Sequence, residues 1–186
     1  MHTMIALFRG INVGGNNKLR MADLSDLLAE LGLRQVRTYI QSGNVVFQSD
    51  DQNLTDLSQQ ISRKVGDRYG FTPYVLLLDP QALTEAAAKN PFPAGEAEPK
   101  SLHLFFLASI PTEPDLAALE SIKIPTEQFK LMGKVFYLHA PDGVGRSKLA
   151  AKAEKLLGVE VTARNWNTVV KLIAMTTDPH NQDTTP

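Results

Sequence analysis

Cysteine is absent from the 186 residues. That excludes disulfides, thiolate chemistry and cysteine zinc sites, and it permits a reducing compartment. No apolar run reaches the length of a membrane span, and Met1-His2-Thr3 leads straight into a strand-like run without a signal-peptide core. The expectation is a soluble cytoplasmic protein with no membrane partner. Net charge is also nearly absent, at −1 with a pI of about 6.4, so no global basic field argues for nucleic acid and no acidic one for a disordered tail. The four histidines, His2, His103, His139 and His180, form no metal-ligand spacing, and no G-x-S-x-G elbow offers a nucleophile. No metal and no cofactor are expected.

What is present is unevenly placed. Residues 1–48 carry five Lys/Arg against three Asp/Glu, and residues 130–171 carry eight against three, whereas 49–129 carry six against twelve. The unusual motifs fall in the two basic segments. The first is Arg9 to Lys18, R-G-I-N-V-G-G-N-N-K, which has three glycines, three asparagines and two cations but no carboxylate.

Hydrophobic composition of 43% suffices for one ordinary core or two small subdomains sharing one. Met4–Phe8 is apolar on both faces of a period-two reading, as a central strand would be. Met21, Leu24, Leu27, Leu28 and Leu31 recur at helical spacing before Gly32. Val36–Ile40 and Asn44–Phe47 flank Ser42-Gly43 as a hairpin. Leu54, Leu57, Ile61 and Val65 mark a helix closed by Gly70, and Tyr74–Leu78 reads as a buried strand. The order βαββαβ is that of a ferredoxin-like unit. In that topology the first two strands are parallel, which predicts that the Arg9–Lys18 loop and the Gln41–Asn44 turn are neighbours.

A short helix over Gln81–Lys89 precedes Pro91–Lys100, whose three prolines and glycine suggest a linker. Beyond it come a strand at Leu102–Leu107, a short helix at Pro114–Glu120, a hairpin of Glu127–Leu131 with Val135–Leu138, and a helix over Leu149–Leu157 ending at Gly158. This β-α-β-β-α order matches the first half, as a degraded repeat would. A last helix is predicted over Trp166–Met175. The expected class is therefore α+β. A ferredoxin-like subdomain over 1–90 precedes a linker at 91–100, a second α+β subdomain over 101–176 and a flexible tail at 177–186.

The set of motifs, R-G-I-N-V-G-G with Lys18 and Met21, T-Y-I-Q-S-G-N-V-V-F at Thr38–Phe47, G-R-S-K at Gly145–Lys148 and A-R-N-W-N-T-V at Ala163–Val169, resembles the bacterial family catalogued as domain of unknown function 1697. The resemblance implies a two-part α+β architecture with a ferredoxin-like first part. It implies no activity.

Gly10, Gly14 and Gly15 favour positive φ, and consecutive N–H groups in such a loop can form an anion-binding nest ahead of a helix. The alternative is a tight connection with Arg9 and Lys18 solvated. The loop fits neither G-x-G-x-x-G nor the Walker spacing. Gly143-Val144-Gly145-Arg146-Ser147-Lys148 is a second glycine-bearing turn entering a helix, with N-capping by Ser147 as its structural alternative. In Arg164-Asn165-Trp166-Asn167-Thr168, Trp166 is placed as a core anchor in step with Val170 and Ile173, and Asn165 as a helix cap. Tyr39 shares a strand face with Arg37 and Val46, but the paired aromatics and leading basic residue of an RNA-recognition module are missing.

The reading that unites these motifs is a binding protein whose Gly/Asn/cation-rich cleft takes a small phosphate-bearing ligand. Arg9, Lys18, Arg146, Lys148 and Arg164 would supply charge. Asn12, Ser42, Asn44 and Asn167 would orient the ligand, beside the backbone of Gly14 and Gly15. The alternatives are an enzyme acting on a phosphorylated or nucleotide substrate, with electrostatic stabilisation by the same cations and Asp142 or His139 as acid or base, nucleic-acid binding, and a purely structural role for the motifs. The sequence assigns no oligomeric state.

Overall fold

The structure, a computed structural model, describes residues 1–51 and 53–177. The described residues divide into two compact units, Met1–Thr84 together with the end of the chain's last helix from Leu172 to Thr177, and Glu85–Lys171.

In the first unit the order is β1 (His2–Arg9), α1 (Met21–Glu30), β2 (Arg34–Tyr39), β3 (Asn44–Ser49), α2 (Leu54–Tyr69) and β4 (Tyr74–Leu78); α3 (Pro80–Ala88) follows and its last residues, from Glu85, belong to the second unit. The strands form one antiparallel sheet in the order β2-β3-β1-β4, which is the ferredoxin-like arrangement. Strand alternation sends Met4, Ala6 and Phe8, with Val45, Phe47, Val75 and Leu77, to the face that packs Leu24, Leu27, Leu28, Leu57, Ile61 and Val65 of the two helices. Ile5, Leu7 and Val46 point to the opposite face and are also buried. That double burial is why β1 reads as an unbroken apolar run. Burying each such side chain stabilises the fold by about 1.5–3 kcal/mol. The helices stop where the sequence predicts, with Gly32 and Gly70 in left-handed conformation. Asn53 caps α2 by accepting from the Asp56 N–H at 3.2 Å.

The second unit holds β5 (Leu102–Leu107), α4 (Leu116–Ile122), β6 (Gln128–Met132), β7 (Val135–His139), α5 (Lys148–Leu157) and β8 (Val161–Asn165), and it includes the start of α6 (Trp166–Thr177). Its sheet order, β6-β7-β5-β8, repeats that of the first. Phe105, Leu107, Phe136, Leu138 and Val161 face Leu119, Leu149, Ala153 and Leu157. Gly158 closes α5 at φ +71. The buried hydroxyl of Tyr137 donates to the carbonyl of Ala86 at 2.8 Å, and burial pushes its pKa up to about 12.

One strand is absent from the sequence reading. V-T-A-R-N has a single large apolar residue and runs without a break into α6, so no local pattern marks it. It is a strand because its backbone pairs with β5, Val161 opposite Leu107 and Asn165 opposite His103. The second unit thereby completes βαββαβ. The segment at 91–100 contains a 3₁₀ turn at Pro93–Glu96, where Gly95 sits so close to Leu102 and His139 that a Cβ would meet both at 3.0 Å. The tail expected at 177–186 lies outside the described residues except for Thr177, which closes α6. His180 lies outside them too. Among the described residues no helix is long and apolar enough to cross a membrane.

Candidate functional site

The Arg9–Lys18 segment folds as a small hairpin. Val13 bridges Asn16, and between them Gly14 and Gly15 both take positive φ, +57° and +81°, the requirement of a tight two-residue turn with left-handed centres. The Asn16 N–H donates to the Val13 carbonyl at 3.0 Å and the Asn12 N–H to the Asn17 carbonyl at 3.1 Å. Ile11 and Leu19 are buried at the base, whereas Val13 at the tip is 65% exposed. The glycine turn therefore lies at a projecting tip, and five residues lie between Gly15 and Met21 at the start of α1. It does not feed directly into that helix, which opens instead on the Arg20–Asp23 ion pair.

Asparagine side chains hold this hairpin. Asn12 at φ +54° accepts from the Leu19 N–H, and its amide donates to the carbonyls of Leu19 and Gln41, all at 2.8 Å. The Asn17 amide donates to the Gly10 carbonyl at 2.8 Å. From the other side, the Phe8 N–H donates to the Gly43 carbonyl at 2.8 Å. Gly43, at φ +74°, lies so near β1 that a Cβ would come within 2.5 Å of the Phe8 Cβ and 2.6 Å of the Ile11 Cδ1. The fully buried Asn44 donates to the Tyr39 carbonyl at 3.1 Å and to Ser42 Oγ at 2.9 Å. Arg9 lies over the Tyr74 ring at 4.9 Å, a cation–π contact between paired strands.

Seven of the sequence-picked residues, Arg9, Asn12, Gly14, Gly15, Lys18, Ser42 and Asn44, thus gather at one end of the first sheet. The Asn12 amide bonds loop backbone and the Asn44 amide the Tyr39 carbonyl and Ser42 Oγ, because an amide is the side chain that can supply a donor and an acceptor to an irregular loop at once. Of the seven, Gly14 and Gly15 at the tip, Lys18 and Ser42 are exposed. Tyr74, the partner of Arg9, escaped the sequence reading since only the β1–β4 register brings it there.

The other four residues lie in the second unit. Gly143, at φ +100°, opens a 3₁₀ turn, and Ser147 Oγ accepts from the Ala150 N–H at 3.1 Å as the cap of α5. Arg146 and Lys148 beside it are exposed. Asn165 caps α6 by accepting from the Thr168 N–H at 2.9 Å, and Asn167 is exposed. β7 and β8 both end beside the start of β5, His139 opposite Leu102 and Asn165 opposite His103. The two motifs therefore share one end of the second sheet. Arg164, 9% exposed, points to the sheet face away from α4 and α5 and donates to the Ala163 carbonyl at 2.8 Å. Burial pulls its pKa down to about 10. Trp166 is only half-buried and Val170 is 48% exposed. The buried stripe of α6 is Val169, Leu172 and Met175, so the helix is rotated from the core-anchor reading of Trp166.

The acid–base candidates are engaged. Asp142 Oδ2 accepts from Thr126 Oγ1 at 2.6 Å, and the His139 ring stacks on Phe92 at 6.2 Å. His103 holds a buried Nδ1 that no group among the described residues meets, and burial lowers its pKa to about 4. Among the described residues no three carboxylate or imidazole groups are placed to hold a metal ion.

The fold is shared with a solved structure, that of the conserved bacterial protein SP0830 from Streptococcus pneumoniae. It superposes with a TM-score of 0.66 at 26% identity, covering 93% of this chain and 97% of that one. No curated protein matches the chain in sequence. The family model described as protein of unknown function (DUF1697) matches residues 1–137, and with that match over most of its length the chain belongs to this family.

Proposed function

We propose that the protein binds a small phosphate-bearing anion at the Arg9–Lys18 hairpin beside the Gln41–Asn44 turn. The observation that carries this reading is the clamp by Asn12. It ties two turns that contain Arg9 and Lys18 and no carboxylate into one element. A loop already held by its own hydrogen bonds loses little entropy when a ligand arrives. The backbone N–H groups of Gly14 and Gly15 and the ammonium of Lys18 are the contacts such a ligand would use, with Arg9 adding charge from the sheet end. Asn12, Ser42 and Asn44 then shape the site. In the second unit, Arg146, Lys148 and Asn167 are exposed, and with Arg164 they would offer the same chemistry a further cation-bearing site. A cytoplasmic location fits the cysteine-free sequence.

The test is a thermal-shift series of wild type and Lys18→Ala against inorganic phosphate, nucleotides and sugar phosphates. A ligand at a hundred times its dissociation constant adds about 2.7 kcal/mol, a rise of roughly 5–10 °C for a chain of this size. Wild type should respond, and Lys18→Ala, with the same melting point in the absence of ligand, should lose most of the response. Indifference of the wild type to every phosphate compound would end this reading.

A further inference from the structure

The two most exposed large apolar side chains among the described residues are Val13, 65% exposed, and Ile110, 63% exposed. Their settings are opposite in charge. Val13 sits at the tip of the hairpin that has cations and no acid, near the turn where Ile40 is 50% exposed at φ +48°, a conformation that β-branched residues rarely adopt. Ile110 lies in the stretch from Ala108 to Ile122, which has Glu113, Asp115 and Glu120 and no cation; Glu120 is paired with Lys123 and Lys134 donates to the Ala108 carbonyl at 3.5 Å, so Glu113 and Asp115 carry the acidic character near Ile110. Within it Leu116 is 44% exposed and Glu113 is exposed.

Both elements are held in shape. The hairpin is fixed by its asparagine hydrogen bonds. The acidic stretch is fixed by Pro111 and Pro114, by the Asp115 N–H donating to the Leu156 carbonyl at 2.8 Å, and by the Ala108 N–H donating to the Glu160 carbonyl at 3.0 Å. Isolated exposed aliphatic residues need no explanation. Here two preorganised elements each carry exposed aliphatic side chains, one in a stretch with Lys18 and no acid, the other in a stretch with Glu113 and Asp115 and no cation, and that is the makeup of two halves of one contact.

We propose that this protein self-associates, with the Val13–Lys18 hairpin of one molecule docking on the Ile110–Leu116 segment of a second copy. Val13 and Ile40 meet Ile110 and Leu116, and Lys18 pairs with Glu113. The contact joins two different surfaces, so each copy offers both a hairpin and a receiving segment. The proposal shares Lys18 with the anion-binding reading but does not depend on it, since its occupant is protein and its readout is mass.

The experiment is sedimentation velocity of the full chain from micromolar to millimolar concentration in low-salt buffer, for wild type, Lys18→Glu, Glu113→Lys and the double variant. Wild type should associate with rising concentration, and each single reversal should weaken association roughly three- to tenfold. The double reversal should restore it by rebuilding the pair in the opposite sense. Val13→Asp should abolish association whatever the charges. All three substituted positions are exposed, and unchanged thermal unfolding confirms that the variants fold. A wild type that stays monomeric throughout overturns the proposal, as does a double variant no better than the singles. Loss of phosphate binding by wild type would leave these results unaffected, so the two readings fail separately.

Discussion

The side-chain amide of Asn12 reaches the backbone carbonyl of Gln41, 29 residues further along the chain, at 2.8 Å, while the same side chain holds both backbone groups of Leu19. One residue thus closes the hairpin after β1 and joins it to the β2–β3 turn. Asn12→Ala removes three hydrogen bonds and places alanine at φ +54°. The expected loss is about 3–6 kcal/mol, from three bonds at roughly 0.5–1.5 kcal/mol each plus roughly 1–2 kcal/mol of strain. Urea unfolding would measure it, and a loss under 0.5 kcal/mol would mean that the clamp is idle.

Glycines in the two turns separate steric need from conformational need. Gly43→Ala must resolve contacts of 2.5 and 2.6 Å with Phe8 and Ile11 as well as a positive φ, so it should cost about 3 kcal/mol or more. Gly14→Ala meets nothing within 4 Å and should cost only the left-handed penalty of about 1–2 kcal/mol. Equal midpoints for the two variants in denaturant would contradict this ranking.

His103 sets a pH dependence. Burial lowers its pKa to about 4 from the usual 6.5, so the unfolded chain takes up its proton first as pH falls. Its contribution is intact above about pH 6.5, declines between 6.5 and 4, and is fully lost below 4. The loss is on the order of 2–3 kcal/mol. His103→Leu removes the titration and should flatten the difference in unfolding free energy between pH 7.5 and pH 5 relative to wild type.

Ser147 and Arg146, neighbours in sequence, should behave differently. Ser147→Ala deletes the cap on Ala150 and should cost about 1 kcal/mol. Arg146→Ala, at an exposed position, should alter stability by under 0.5 kcal/mol. If the second cluster takes an anion, Arg146→Ala is the variant that changes its salt-dependent binding.

Sequence alone determined the elements whose periodicity is complete within themselves. The leucines of α1, the Leu57, Ile61 and Val65 stripe of α2, and the strands at Tyr74–Leu78 and Leu102–Leu107 bury one or both faces, and that leaves a local record. The closing glycines Gly32, Gly70 and Gly158 are equally local, since positive φ belongs to one residue. From those elements the βαββαβ order followed, and with it the meeting of the Arg9 hairpin and the Ser42 turn. Tertiary structure decided what depends on a partner distant in sequence. Val161–Asn165 became a strand only by pairing with β5, and Trp166 fell outside the buried stripe because Val169, Leu172 and Met175 set the rotation of α6. It also decided what the asparagines do. An Asn in a glycine-rich loop reads the same whether its amide meets a ligand or a carbonyl, and only the folded backbone brought the carbonyls of Leu19, Gln41 and Tyr39 within reach of Asn12 and Asn44.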